Sequence, residues 1–285
     1  MGYIKKHCWQ YDIRLKTKKE DLCFLESLGI EKDSLGVKDF SFQFEEKSLC
    51  YAEVREFIKK YEWLGKMSLQ PTHIFTARHR GILAGVVVMD MPAAFSKLLG
   101  EDTRKMERLI SRGACSSWTP KNLASSLVMF SIHWMVENTD YRLFTAYSDT
   151  EAKELGTIYQ ACNFYYLGKK SGARHQYELS EGRWVSDRYF RTRSAYKRSA
   201  KELGIPWEAS WQKGNAVYFH LMPDGVEDKI KKHAQGKMVG LPKRELPLKH
   251  KYAYVLGGDK RETKNLRNLF LKRNKTLDYP KKRGY

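Results

Sequence analysis

Apolar residues fall at helical spacing in some stretches of the chain and alternate or cluster in others. In residues 50–65, CYAEVREFIKKYEWLG, Val54, Phe57, Ile58 and Tyr61 stand at i, i+3, i+4 and i+7. That is the stripe of one helix face, and Gly65 is placed to end it. An earlier helix is expected in KKEDLCFLESLGI, stopped by Gly29. Residues 73–91, HIFTARHRGILAGVVVMDM, switch to β-forming residues about a turn at Arg80-Gly81, the pattern of two antiparallel strands. The second, ILAGVVVMD, is almost wholly apolar and should be a central strand covered on both faces. KMERLISRGA reads as a further strand.

The strongest helix follows. Thr119 suits the N-cap and Pro120 the first helical position. Leu123, Leu127, Phe130, Trp134 and Met135 then make an apolar face. YRLFTAYSD is a strand, GTIYQACNF is long enough for about two helical turns, and YYLGKKSG is another strand. Helix, hairpin, strand, loop, long helix, strand, short helix, strand is an α/β order with a mixed sheet. Ligands of such sheets sit at the carboxyl ends of the strands.

Beyond residue 185 the texture becomes basic. WVSDRYFRTRSAYKRSAKELGI predicts one tyrosine-rich helix, and HKYAYVLG a late strand before a basic helix. The expected division is a lead over 1–48, a catalytic domain over 49–185 and a basic C-terminal region over 186–285.

Charge sharpens this picture. The 285 residues carry a formal charge of +19, of which +15 falls from residue 186 onward. Charge gathered in one region attracts polyanions, nucleic acid above all. Arg188, Arg191, Arg193, Tyr196, Lys197, Arg198, Lys249 and Lys251 are the candidate contacts, because cations interleaved with rings both grip phosphate and stack on bases. A solvated helix face is the plainer reading of the same residues. No apolar run approaches the roughly 18 residues of a membrane span, and the first 21 residues have no apolar signal core. A cytoplasmic protein that does not enter membranes is expected. The five cysteines form no CxxC pair, and His73 and His133 lack metal-site spacing, so no metal ligands are assigned. His133 reads as a core histidine and His79 as a solvated turn residue. Nothing in the pattern fixes the oligomeric state.

The densest polar run is SDTEAKELGTIYQACNFYYLG, residues 148–168. Together with MERLISRGA and TPKNLASSL it resembles the Mom-type phage DNA-modification proteins, within the GNAT acyltransferase superfamily. The likeness covers residues 50–180, and its most specific part is an Asp followed ten residues later by the Tyr of GTIYQA. It implies a GNAT-like mixed, splayed central sheet flanked by helices, with a basic C-terminal extension. It also implies transfer of a small acyl or carbamoylmethyl-type group to the exocyclic N6 of adenine in DNA, protecting phage DNA from host restriction.

The resemblance suggests roles for particular residues. Asp149 would act as base or orient the amine, and Tyr159 would protonate the leaving group. Arg108 would steady a carboxylate or phosphate, with Glu154 a second carboxylate nearby. Glu62 joins the catalytic set because Tyr61-Glu62 stands where a His-Tyr pair is expected in relatives. Each has a plainer alternative: Asp149 as a helix cap, Tyr159 as core, Glu154 as surface. Acetyl-CoA or a related acyl donor is the implied cofactor, its phosphates held by Arg112, Gly113, Asn122 and Ser125 in SRGACSSWTPKN. SRGA lacks the second glycine of the usual Gln/Arg-x-x-Gly-x-Gly/Ala loop. The partner would be double-stranded DNA with its target adenine flipped out and stacked on Trp63, Tyr165 or Tyr166. A conventional N-acyltransferase and a non-catalytic nucleic-acid-binding module are the competing readings.

Overall fold

The computed structural model describes residues 8–68, 70–170, 175–214 and 216–281. In chain order the first elements are α1 (Trp9–Ser27), β1 (Ser41–Glu45), α2 (Lys47–Tyr61), β2 (His73–His79), β3 (Ile82–Asp90) and β4 (Glu107–Cys115). Then come α3 (Leu123–Asn138), β5 (Leu143–Ser148), α4 (Thr157–Ala161) and β6 (Tyr165–Lys170). A second group follows: β7 (His175–Ser180), β8 (Arg183–Ser186), α5 (Arg193–Glu202), β9 (Gln212–Lys213), β10 (Ala216–Val217), α6 (Val226–Gly236) and β11 (Lys243–Glu245). The described chain ends with β12 (Lys249–Val255) and α7 (Lys260–Arg273).

Two compact units result: Met1–Lys170 with Lys249–Tyr285, and Ser171–Leu248. The boundaries expected after residues 48 and 185 follow changes in composition, and the chain separates elsewhere. β1, in the supposed lead, pairs with β2, and β12, in the supposed tail, lies inside the main sheet. Composition carries no information about strand pairing.

The first unit is built on a seven-stranded sheet ordered β1-β2-β3-β4-β5-β12-β6. Every neighbouring pair is antiparallel except β4 and β5. That parallel pair is joined only from Glu107 to Ile110 against Leu143 to Ala146. Past this point β4 stays with β3, through Cys115, and β5 stays with β12, through Ser148. A wedge opens between them. This is the GNAT-like mixed, splayed sheet that the resemblance implies.

β3 behaves as its composition requires. Val87 and Met89 enter the core beneath α3, while Val86 and Val88 enter the core beneath α2. Phe270 of α7 packs with Leu143, Leu167, Ala253 and Val255 in a third core of this unit. Burying side chains of this size contributes roughly 1.5–3 kcal/mol each, so the parallel pair is clamped on both faces below the wedge.

The second unit has its own core of Tyr196, Ala200, Trp211, Met222, Ile230 and Ala234. The single helix expected over 184–205 is broken: β8 ends at Ser186, a short 3-10 turn covers Asp187–Arg191, and α5 starts after Thr192. The Thr192 hydroxyl accepts from the Ala195 N–H at 3.2 Å, the N-cap that restarts the helix. Among the described residues, no helix is long and apolar enough to cross a membrane.

Candidate active site

Four side chains from different elements meet across the wedge. Arg112 projects from β4 just beyond the point where β4 leaves β5. Its Nε donates to Lys66 O at 2.6 Å and its Nη1 to Ser111 O at 2.6 Å. Glu62, the residue that ends α2, lies 3.7 Å from Arg112 Nε. Glu154 comes from the loop after β5, and Tyr159 from α4.

Glu62 is unusual. Its side chain is only 10% exposed, and its Oε2 is buried with no hydrogen-bond partner. Burial pushes its carboxyl up to about 7; Arg112 opposes that shift and Glu154 adds to it. Glu154 is also raised, chiefly by burial and then by the nearby Asp149 charge, against hydrogen bonds from the Asp149 N–H and the Trp63 side chain. The Asp149 N–H donates to Glu154 Oε2 at 3.2 Å. Tyr159 packs against Phe164 and Tyr252, with ring centroids 5.3 and 5.5 Å away. Burial, Glu154 and Glu62 all raise its hydroxyl above the usual phenol range. Two carboxyls and one phenol therefore share a desolvated space in which each resists ionising.

Asp149 is engaged elsewhere. Its Oδ2 pairs with Lys249 Nζ at 2.6 Å, and its Oδ1 accepts from the Glu151 N–H at 3.0 Å. Asp149 thus closes a turn and caps no helix, since α4 begins only after Gly156. The sequence-based placing of Glu154 on the surface is wrong, because the loop folds it inward.

A floor of hydrogen bonds fixes α4. Gln160 Nε2 and the Tyr252 hydroxyl both donate to Leu155 O. Gly156, at φ 67°, lies so close to the Tyr252 ring that a Cβ there would stand 2.4 Å from it. The last described residues add a strap. Leu277 N donates to Tyr166 O at 2.9 Å, and the Tyr279 hydroxyl donates to Phe164 O at 2.7 Å.

The profile of the Mom protein family matches residues 47–281. The chain belongs to the Mom family. No curated protein matches it in sequence. Among solved structures it is similar to an N-acetyltransferase from Staphylococcus aureus Mu50, at 10% identity over 76% of this chain and 97% of that one, with a TM-score of 0.37. It is also similar to an IAA acetyltransferase from Bacillus cereus ATCC 14579, at 10% identity over 76% and 99%, with a TM-score of 0.38. A third is a Bacillus subtilis acetyltransferase in complex with CoA, at 11% identity over 76% and 97%, with a TM-score of 0.35.

In this Mom-family chain the phosphate cradle expected at SRGACSSWTPKN divides. Arg112 faces Glu62, and Gly113 sits within β4, opposite Val87. Asn122 and Ser125 are at the start of α3, where Asn122 adopts the left-handed conformation at φ 72° and caps nothing with its side chain. Read as Thr119-Pro-Lys-Asn122-Leu-Ala124, the chain puts Asn122 and Ala124 where the usual loop has its two small residues. Asn is the non-glycine residue best suited to positive φ. The first turn of α3 holds no acidic residue, and Lys121 beside it is exposed. Free N–H groups at a helix start with a lysine alongside are a donor set that fits the phosphates of a CoA-type molecule.

Arg108 is not at this site. It is 6% exposed and lies in the paired part of β4, opposite Phe144. It donates to Glu107 O and the Tyr141 hydroxyl, with its guanidinium carbon 3.5 Å from the Tyr141 ring centre. Its role as an anion holder in the wedge is therefore withdrawn. Tyr165 and Tyr166 do face opposite ways, yet both faces are covered. Tyr165 stacks on Phe270 at 4.9 Å, and Tyr166 meets His250 Nδ1 at 2.7 Å. Neither can stack a base. His79 is buried, its Nδ1 donating to Asp39 O at 2.8 Å, whereas His133 is exposed. Among the described residues, no group of three or more His, Cys, Asp or Glu could hold a metal ion.

The expected basic contacts belong to different units. Arg188, Arg191, Lys197 and Arg198 are exposed and Arg193 half-buried on the second unit, where Arg191 pairs with Asp187 and Arg198 with the Tyr189 ring and hydroxyl. Tyr196 is buried in that unit's core against Phe219, so it cannot stack a base. Lys249 and Lys251 lie on β12 in the first unit. Lys249 is neutralised by Asp149, and burial lowers Lys251, which faces the Tyr147 ring at 5.6 Å. Neither is the free cation of a phosphate clamp.

Proposed function

We propose that this Mom-family protein transfers a small acyl or carbamoylmethyl-type group to the exocyclic amine of a base in DNA, adenine N6 by family resemblance. The observation that carries this reading is the buried Glu62 carboxylate, whose Oε2 accepts no hydrogen bond and faces Arg112 at 3.7 Å, with the Tyr159 hydroxyl within reach of its charge. The lone pair of an exocyclic amine is delocalised into the ring. Bond formation to nitrogen therefore needs a group that removes the N–H proton as the bond forms, and another that protonates the departing group.

Glu62 suits the first role. It has a vacant acceptor atom and a carboxyl titrating near neutrality, where a general base works best. Tyr159 suits the second, because burial keeps its proton in place until negative charge develops beside it. Asp149 and Glu154 hold the turn and tune the pair. A CoA-type thioester would supply an activated acyl carbon, with the first turn of α3, Lys121, Asn122 and Ser125 available to its phosphates. In balance, the amine N–H bond would break and an N–C bond form as the C–S bond of the donor breaks; Glu62 would take the amine proton, Tyr159 would give one to the departing thiolate, and the proton on Glu62 would restore Tyr159. The charge of +19 supports a polyanionic partner. Protection of phage DNA from restriction follows as the biological sense of such a modification.

The test is to express the chain in a modification-free bacterium, digest the DNA to nucleosides and weigh them. A heavier nucleoside, absent with Glu62→Gln and Tyr159→Phe, is the expected result. Unmodified DNA from folded wild-type protein supplied in vitro with an acyl-CoA donor would overturn it.

A further inference from the structure

α1 lies outside residues 47–281, which match the family, yet contacts from its middle and its start hold the site. At its middle, the buried Asp21 carboxylate accepts from the Ser117 N–H at 2.9 Å, the Ser117 hydroxyl at 2.7 Å and the Tyr61 hydroxyl at 2.7 Å. One residue thus joins the approach to α3 with the end of α2. At its start, the Trp9 N–H donates to Ala152 O at 3.1 Å, in the loop that carries Glu154. Gln10 clamps the residues flanking Glu62, its Nε2 donating to Tyr61 O at 2.6 Å and its Oε1 accepting from the Trp63 N–H at 3.2 Å.

These bonds set Trp9 edge-to-face on Trp63, with centroids 5.1 Å apart and planes at 71°. The Trp63 side chain lies close enough to Glu154 to lower its carboxyl against the effect of burial. Trp9 remains 39% exposed, a large ring kept at the surface against the residue that follows Glu62, whose Oε2 is buried without a hydrogen bond. A buried acceptor with nothing to accept is costly unless a ligand brings a donor. A ligand with an N–H group and a flat apolar face matches both features.

We propose that the first turn of α1 completes the acceptor side of the site, with Trp9, braced edge-to-face by Trp63, stacking a flipped nucleobase whose exocyclic amine meets Glu62 Oε2. The assignment rests on the base-modifying reading above and names the residues that hold the base. Trp9 is a specificity residue supplied by a segment outside the family match.

The experiment compares two short duplexes by anisotropy of a labelled strand. One carries an adenine opposite an abasic site, so that flipping costs little. In the other the adenine itself is also abasic. Stacking a base on an aromatic ring strengthens binding roughly five- to a hundredfold. Wild type should prefer the adenine duplex by a factor in that range. Trp9→Ala should bring the ratio near unity with the affinity for the abasic duplex unchanged, and Trp9→Phe should keep most of the preference. A ratio that survives Trp9→Ala overturns the role of Trp9 alone. A wild type that binds both duplexes equally overturns the base-binding reading together with it. A fall in affinity for both duplexes by the same factor, with Trp9→Phe behaving alike, assigns Trp9 to packing and also overturns the proposal.

Discussion

Lys249 Nζ lies 2.6 Å from Asp149 Oδ2, while Glu62 Oε2, 3.7 Å from Arg112 Nε, accepts no hydrogen bond. Both oxygens of Asp149 are already engaged, by an ammonium and by the Glu151 N–H. Asp149→Asn keeps an oxygen for the Glu151 N–H and loses only the ion pair. It should therefore reduce nucleoside modification less than Glu62→Gln does, by about tenfold or more, the range over which a general base contributes. The reverse order in a side-by-side mass-spectrometric assay would move the base to Asp149.

Glu62 also makes a prediction about stability. Its carboxyl titrates near 7 when folded, against 4.5 ordinarily. Between these values the folded protein retains a proton that the unfolded chain releases, so the carboxyl costs stability as pH rises from 4.5 to 7 and a constant amount above. Glu62→Gln removes that cost. At pH 8 the variant should be more stable in urea, by at most about 3 kcal/mol, with little difference at pH 4.5. Activity of the wild type should rise with pH through neutrality as the base loses its proton.

Gly156 should not tolerate a side chain. An alanine Cβ would stand 2.4 Å from Tyr252 Cε2 and 2.7 Å from Ser148 Oγ, at a positive φ. Left-handed strain and overpacking together should cost about 2–4 kcal/mol. Because Gly156 begins α4, Tyr159 moves with it. Thermal unfolding and nucleoside analysis of Gly156→Ala should show both losses; unchanged melting would show that the ring gives way freely.

The strap at residues 277–280 should rigidify α4. Tyr279→Phe deletes the hydrogen bond to Phe164 O and should cost about 1 kcal/mol. Ending the chain after Asn274 removes the Leu277 bridge as well. Amide exchange at residues 160–164 should then accelerate more than at β3. Equal protection in both forms would mean that the strap carries no load.

Much of the first unit was legible in order but not in arrangement. The helical stripe of α2 and the apolar run of β3 each follow from local pattern, because side-chain periodicity reports which face is buried; the helix start expected at Thr119-Pro120 lies at Leu123 instead, with Asn122 as the N-cap residue. β1 escaped notice because SFQFE is five residues long, and the hairpin of β7 and β8 because none of its residues is fully buried. HKYAYVLG was readable as a strand. Its insertion between β5 and β6, 78 residues after β6 ends, was not, since nothing local encodes a distant partner.

The site divides in the same way. The sequence by itself determined the fold class, the family motif around GTIYQA, the candidacy of Tyr159 and Glu62, and the excess of positive charge. These are properties of residue type and spacing. Tertiary structure alone decided that Glu62 is desolvated beside Arg112 without a hydrogen bond to its Oε2, that Asp149 is spent on Lys249, and that Arg108 and Tyr166 are buried. It also decided that Trp9 reaches Trp63 across more than fifty residues of chain. Desolvation and partnership depend on which atoms displace water around a group, and that is fixed only when distant segments pack.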